Sequence, residues 1–444
     1  MKASPLKIFL LCLSFGLGIG VFSVAFFIWL LLGHNIGSGI SILIGLCLLV
    51  VLLAWHIKKH SNLSLLSPPV SNKANPAYLA LFCVIALSSA AIFIFMSVRN
   101  PHGGWDAWAI SNLRARFLFR GIEHWKDAFL IYWSHSDYPL LLPGAVAGSW
   151  SIIGKETPLI PATIAFIFTF GTAGLLYYGV TILKGKNQGM LAAITLLSMP
   201  FVIKHGASQC ADTPVGFFFL ATIILLTLYD LDLKKNGSWL VLAGLSAGMA
   251  AWTKTEGMLF MFVVISAKVV INTYKKEQPG IKKWLFSFIS GLLPILAVIL
   301  CFKLVLPISN YLICTKNLGH VYRHLYDPTR YATIFILMLK GMFNTEDWFI
   351  YPIMLLVCLG VSWPADKRFK SITAYPMAVI FLMLCGYFLM YMFMPYEVVG
   401  VIACSLNRLY VQLWPSVLFI FFLLFDPGDL NDLKWNENIA RFYP

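Results

Sequence analysis

The residue types able to do chemistry gather in a few short stretches of this chain. Gly104-Trp105-Asp106-Ala107-Trp108 runs on to Asn112, Arg114, Arg116 and Arg120. His135-Ser136-Asp137-Tyr138-Pro139 follows, then Lys204, His205 and Asp212, then Lys254 and Glu256. His320, Arg323, His324 and Arg330 come next, and Glu397 and Arg408 flank the last apolar run. Arginine and lysine suit an anionic ligand, above all a phosphate whose charge develops as it leaves. A carboxylate beside them suits a general base. Together these types fit transfer of a group from a phosphate-linked donor to a hydroxyl or an amine. Each also has a plainer reading. Asp106 and Asp137 would serve as N-caps, and Asp212, before Thr213-Pro214, as a cap-plus-proline helix start. Lys254 and Glu256 read as a snorkelling pair at a helix end, Arg408 as a headgroup anchor, and Trp105 and Trp108 as interface packing. His320 and His324 share a helical face at four-residue spacing, but no carboxylate stands near them in sequence. No metal site is assigned and no cofactor is indicated; a divalent metal is compatible with these residue types but nothing points to one.

The elements that must carry these residues are membrane helices. Of 444 residues 59% are apolar and only 12% charged, about half the charged share of a soluble domain. The pattern predicts an all-α polytopic membrane protein with about 12 spans of bilayer length. They lie near 8–32, 37–57, 78–98, 158–183, 189–204, 214–231, 239–256, 258–272, 285–306, 348–363, 373–394 and 409–425. The first run, after Met1 to Lys7, is too long for a signal-peptide core and reads as a retained span. The net charge of +14 suits lysine-rich cytoplasmic loops facing anionic headgroups, not nucleic acid. Most of the nine scattered cysteines, Cys12, Cys47, Cys83, Cys301, Cys358 and Cys385, fall in apolar runs, and there is no CxxC pair, so neither a disulfide framework nor a zinc knuckle is expected.

Lys58, Lys59, Lys73, Lys184, Lys186, Lys234, Lys235, Lys275, Lys276, Lys282, Lys283, Lys367, Arg368 and Lys370 all fall on one side when both termini are cytoplasmic. That side is the cytoplasm by the positive-inside rule. The agreement requires that Tyr138–Gly154, rich in proline and glycine, be an interfacial or re-entrant helix and not a span. Two long segments, 99–157 and 307–347, then lie outside, the first built of interfacial helices. Ala109, Leu113 and Phe117 line one face from Trp108, while Asn112, Arg116 and Arg120 line another. The aromatics Trp125, Tyr132 and Trp133 fit the headgroup level. All the candidate carboxylates and cations above share this outer face.

In their order and shared side, these motifs resemble the GT-C superfamily of glycosyltransferases. The likeness is to the polyprenyl-phosphate-sugar-dependent type, which includes protein O-mannosyltransferases and lipid A aminoarabinose transferases. The stretches that carry it are Gly-Trp-Asp106-Ala-Trp, His135-Ser-Asp137-Tyr138-Pro139-Leu-Leu-Leu-Pro143, Ala211-Asp212-Thr213-Pro214, Thr253-Lys254-Thr255-Glu256-Gly257, and Asn407-Arg408-Leu409-Tyr410 with Pro415 beyond. The resemblance spans roughly 78–425, with 1–77 as two additional N-terminal helices and 426–444 as a cytoplasmic tail. It implies an inverting transferase of a bacterial inner membrane with a periplasmic active site. Its partners would be a polyprenyl-phosphate sugar donor, a lipid, glycan or protein acceptor, and the membrane lipids. It maps the acceptor-activating base to Asp106 and the donor-phosphate contact to Arg408, with Lys254, Lys204 and His205 as further phosphate candidates. Asp137 and Asp212 are candidates for a second acid, and Trp105, Trp108, Tyr138 and Glu256 for substrate contacts. The chain departs from the family pattern in three ways. The paired acids are absent, since Ala107 and Trp108 follow Asp106. Ser136 and Asp137 replace a lysine common beside Tyr-Pro. No large soluble domain follows the bundle. Two other classes remain open: a transporter or lipid-linked sugar flippase, which would place charges mid-span in broken helices, and a glycan ligase or polymerase, for which 307–347 would be the capping loop.

Overall fold

In the computed structural model, residues 4–33, 74–121, 124–130, 135–232, 234–275, 280–306, 324–342, 367–394 and 397–425 are described. Among them there is no strand, and the chain is an all-α polytopic membrane protein. Helices begin where polar or proline residues interrupt the apolar runs. α1 (Pro5–Leu31) starts with proline in its first turn, and α2 (Pro76–Arg99) is capped by the Asn75 side chain, which accepts from the Ala77 N–H at 2.9 Å. Between α2 and the next long helix lie a π-helical turn (Ala107–Ser111), α3 (Asn112–Arg120), a short 3₁₀ turn (Trp125–Phe129) and α4 (Leu141–Ile153). α4 has 13 residues, too few to cross a bilayer. This agrees with reading Tyr138–Gly154 as something other than a span.

α5 (Leu159–Lys184) leads to α6 (Lys186–Leu197) and α7 (Pro200–Ala207), which meet at a 65° bend. Pro200 cannot donate to the preceding turn, so the helix breaks there. α8 (Asp212–Leu231), α9 (Ser238–Thr253), α10 (Thr255–Lys275) and α11 (Ile281–Val305) follow, then α12 (Pro328–Met342), α13 (Lys367–Phe393) and α14 (Val398–Leu424). Eight of the described helices are long and apolar enough to cross a membrane. They match eight of the expected spans. The expected span at 189–204 is the bent α6–α7 pair, and that at 239–256 is the 16-residue α9. The expected spans at 37–57 and 348–363 lie outside the described residues, as do Tyr132, Trp133, His320, Arg323, Lys58, Lys59, Lys73, Lys276 and the tail from 426.

α8 is the hub. Its apolar window is 94% buried, and it packs against α5, α9 and α14. A helix that is apolar all round belongs inside a bundle. α2, by contrast, is 11% buried and leaves Leu87 and Val98 bare, as a lipid-facing helix would. Lipid is as apolar as leucine, so contact between helices comes from close packing. α9 and α11 show how close: a Cβ on Gly244 would stand 2.0 Å from the Phe288 carbonyl oxygen, and one on Gly291 1.9 Å from that of Val241. α1 is packed into this bundle. Ser23 donates to the Leu140 carbonyl at 2.7 Å and accepts from the Trp252 indole at 3.1 Å, and the Phe27 ring lies against Trp125, Trp252 and Phe302.

Two sequence expectations need correction. The last span begins at Val398 and not near 409, because Glu397 caps it, accepting from the Val399 and Gly400 N–H groups at 3.0 and 2.8 Å. Arg408 therefore stands 10 residues inside α14 and is no boundary anchor. Arg330 is nine-tenths buried and donates to the carbonyls of Tyr391 and Met394, each at 2.8 Å. It satisfies the orphan acceptors at the end of α13, a stabilising place for a cation.

Candidate active site

Asp212 is the first residue of α8, yet its carboxylate caps nothing. It is fully buried, and both oxygens are taken by side chains. Oδ1 accepts from Lys254 Nζ at 2.9 Å and from Gln412 Nε2 at 2.6 Å, while Oδ2 accepts from Arg408 Nε at 3.0 Å. Lys254 sits in the one-residue break between α9 and α10, where the chain is extended. Its ammonium also meets Glu256 Oε1 at 2.8 Å and lies over the Tyr138 ring, 5.5 Å from the centroid. Tyr387 of α13 donates to Gln412 Oε1 at 2.9 Å. Three helix ends, the interiors of α13 and α14 and one loop are thus tied to a single carboxylate. A buried charge set of this kind holds only when every member is paired.

The network has one partly exposed end. The Arg408 Nη2 group pairs directly with Asp106 Oδ2, and both side chains keep about a quarter of their surface, 24% and 23%. Asp106 opens the π-helical turn without capping it. Such turns are rare inside helices and recur at functional sites. Trp105 and Trp108 stand beside it half exposed, with ring centroids 6.1 Å apart in an edge-on pair. Arg408 therefore bridges two carboxylates, one buried and one at the rim, through different nitrogens of the same fork, a geometry lysine cannot supply.

Asp137 and Tyr138 come to the other flank. Asp137 is 4% exposed and its Oδ1 has no hydrogen-bond partner. Burial pushes its carboxyl above the usual carboxylate range, and the same burial pushes the Tyr138 hydroxyl up and the His135 imidazole down. The strand of loop they occupy is fixed from behind by Arg114. This guanidinium donates to the Tyr138 carbonyl at 2.9 Å and to the His135 carbonyl, and lies 5.4 Å from the Phe129 ring centroid. Burial draws Arg114 down to about 10, against the pull of Asp137 and Tyr138, so it stays charged at neutral pH. The His205 ring of α7 lies tilted against Phe201, 4.6 Å between centroids, and its Nε2 is buried with no partner.

Of the residues singled out in sequence, Asp106, Asp212, Lys254, Glu256, Arg408 and Tyr138 come together. Lys204 does not. It is exposed, and among the described residues it forms no ion pair, because it points from a different side of α7 than its neighbour His205. Sequence reading missed Gln412, Tyr387 and the role of Arg114. Gln412 and Tyr387 are lone polar groups in apolar helices, and only their burial marks them. Among the described residues no group of three or more His, Cys, Asp and Glu side chains is arranged to hold a metal ion.

Residues 137–307 match the family model of dolichyl-phosphate-mannose-protein mannosyltransferase, a family of the GT-C superfamily. The match bears out the resemblance read from the motifs. It takes in Asp137, Tyr138, His205, Asp212, Lys254 and Glu256, and stops short of Asp106 and Arg408. In general terms it supports a multi-pass membrane glycosyltransferase with a lipid-phosphate sugar donor. No curated protein and no solved structure matches the chain.

Proposed function

We propose that this chain is an inverting glycosyltransferase that moves a monosaccharide from a polyprenyl-phosphate donor to a hydroxyl or amine of a membrane-bound or periplasmic acceptor. The observation that carries this reading is the direct pairing of Asp106 with Arg408 at the partly exposed end of a buried ionic network. It sets a base and a phosphate-binding cation side by side where a substrate can reach both. The acceptor gives its proton to the Asp106 carboxylate as its oxygen or nitrogen bonds to the anomeric carbon. The bond from that carbon to the phosphate oxygen breaks, and polyprenyl phosphate leaves. A single displacement from the opposite face inverts the anomeric centre. Arg408 serves both partners. Asp106 loses its negative charge in the same step in which the phosphate gains its second, so the guanidinium keeps one net partner throughout. Stabilisation of this kind acts where charge develops.

Lys254, saturated by Asp212 and Glu256, acts chiefly by holding Asp212, and through it the Arg408 fork, in place. The buried Nε2 of His205 is a candidate second donor to the phosphate. Asp137, with a raised affinity for its proton, and Tyr138 face the sugar, and Trp105 and Trp108 stack on it. The active site lies on the periplasmic side of a bacterial inner membrane, with both termini cytoplasmic.

The 65° break before α7 and the depth of Arg408 in α14 are features that a transporter of lipid-linked sugars would share. One experiment parts the two readings: mass spectrometry of lipid-linked sugars and envelope glycans in a deletion strain, complemented with wild type or Asp106→Asn. The transferase reading expects polyprenyl-phosphate sugar to accumulate in the deletion and in the Asp106→Asn strain. A variant that restores the wild-type glycan profile would remove Asp106 as the base, and an unchanged profile in the deletion would remove the transferase.

A further inference from the structure

The segment that carries Asp106 is gripped on both sides by a turn more than a hundred residues away. The turn between α7 and α8 carries Gln209, which is 5% exposed and has a positive φ of 58°. Its side-chain amide is used in both senses. Nε2 donates to the Pro101 carbonyl at 3.1 Å, and Oε1 accepts from Asn112 Nδ2 at 3.1 Å. Asn112, itself buried, also donates to the His102 carbonyl at 3.3 Å. One residue earlier, the Ser208 carbonyl accepts from the Gly104 N–H at 2.9 Å. Gly103 lies so close, at φ +74°, that a Cβ would come 2.7 Å from that carbonyl oxygen and 2.8 Å from the Ala107 Cβ. The clasp therefore grips residues 101–104 and 112, on either side of Asp106. Three residues after Gln209, the same chain supplies Asp212 to the buried side of Arg408.

Resting on the reading of Asp106 as the base, we infer that Gln209 is a positioning residue that sets the Asp106 carboxylate against Arg408 and the acceptor. The chemistry asks for an amide at this position. A carboxylate could accept from Asn112 but could not donate to Pro101, and an apolar side chain could do neither. Glutamine occupies this position although its backbone lies in the left-handed region, where glycine or asparagine would be easier. The clasp fixes the distance between base and cation without touching the phosphate side of the site. Its loss slows the chemical step and leaves donor binding in place.

The test uses the full chain in lipid nanodiscs, with Gln209→Gly, which relaxes the backbone and deletes the amide, and Gln209→Glu, which keeps the shape and deletes the donor. Consumption of undecaprenyl-phosphate mannose by an acceptor-containing membrane extract gives kcat and KM, and amide hydrogen exchange follows Gly104 and residues 101–112. In both variants kcat should fall about 10- to 100-fold, as a misplacement of about an ångström produces, with the donor KM within about twofold by the same uniform-binding logic. The Gly104 amide should exchange faster while α8 and α14 keep their protection. Unchanged kcat with unchanged exchange at 101–112 would overturn the inference, as would a donor KM that rises in step with the loss of kcat. If Asp106→Asn consumes the donor at the wild-type rate, the reading of Asp106 as the base falls; if the wild type leaves it untouched, mannose is not the sugar transferred. Exchange at Gly104 alone then decides whether the clasp exists.

Discussion

The two ends of the ionic network are built from the same residue types and behave as different materials. At the inner end, Asp212, Lys254 and Glu256 are nine-tenths buried or more, and Gln412 adds a further donor to Asp212 Oδ1. At the outer end, Asp106 and Arg408 form a single contact in which each side chain keeps about a quarter of its surface accessible. Buried charges are costly to strand and so fix geometry. Exposed pairs contribute little to stability and exchange partners easily. The difference supports reading the inner end as scaffold and the outer end as chemistry, and it separates Asp106, the base the resemblance favours, from Asp212, a second-acid candidate in sequence.

Four substitutions would break or sharpen that contrast. Asp212→Ala should have the largest effect. It strips Lys254 and Arg408 of their shared partner and leaves the Gln412 amide without an acceptor, a loss of about 3–5 kcal/mol, read as a fall in the thermal unfolding midpoint in detergent together with loss of transfer. Asp106→Asn should lower that midpoint much less than Asp212→Ala, since Arg408 keeps Asp212 as its charged partner and the lost pair is partly solvated. It should lower turnover by about 10²–10⁴, the range for loss of a general base. An unfolding midpoint that drops as far as for Asp212→Ala would erase the distinction between the two ends. Tyr387→Phe removes only the donor to Gln412 Oε1 and should cost about 1–3 kcal/mol, the cost of an unsatisfied buried acceptor, with transfer reduced less than in either aspartate variant.

The smallest effect concerns pH. Burial raises the Asp137 carboxyl in the folded chain. The folded state therefore keeps that proton to a higher pH than the unfolded chain does. The resulting stability is complete below the ordinary carboxylate range and is lost as pH rises through the raised value. Asp137→Asn, which never ionises, escapes that loss. Its unfolding midpoint should match wild type in acid and exceed it at neutral pH, in a series from pH 4 to pH 8 by the same linkage. A difference of constant size across the series would mean that Asp137 ionises in the fold as freely as out of it.

Much of this was legible in the chain. Eight apolar runs became helices of bilayer length, because a run of that length leaves the backbone no other way to satisfy its groups. Asp106, Asp212, Lys254, Glu256 and Arg408 could be gathered from four stretches because loop charge alone fixes which segments share a face. What stayed hidden has physical reasons. Arg408 and Asn407 look like the edge of a span, yet the helix runs ten residues further back because protein partners, not lipid, receive the arginine. Gln412, Tyr387 and Gln209 carry no charge and leave no trace in hydropathy or loop balance. Arg330 reads as a site cation and is spent on two backbone carbonyls, a use that depends on where α13 ends. The π-helical turn at Asp106 has no signature in residue type.

α8 is wrapped by other helices along its whole length, whereas α2 lies open on its flank. Asp212 therefore feels a surrounding made of protein atoms and not of acyl chains. Membranes differ in thickness, headgroup and fluidity, and a charge set at the lipid boundary would drift with them. Here the electrostatic setting of the site is insulated, and only the approach of the donor's tail is left exposed to the bilayer. Changing the lipid should thus alter how fast a donor arrives while leaving the pH profile of the bound complex where it was.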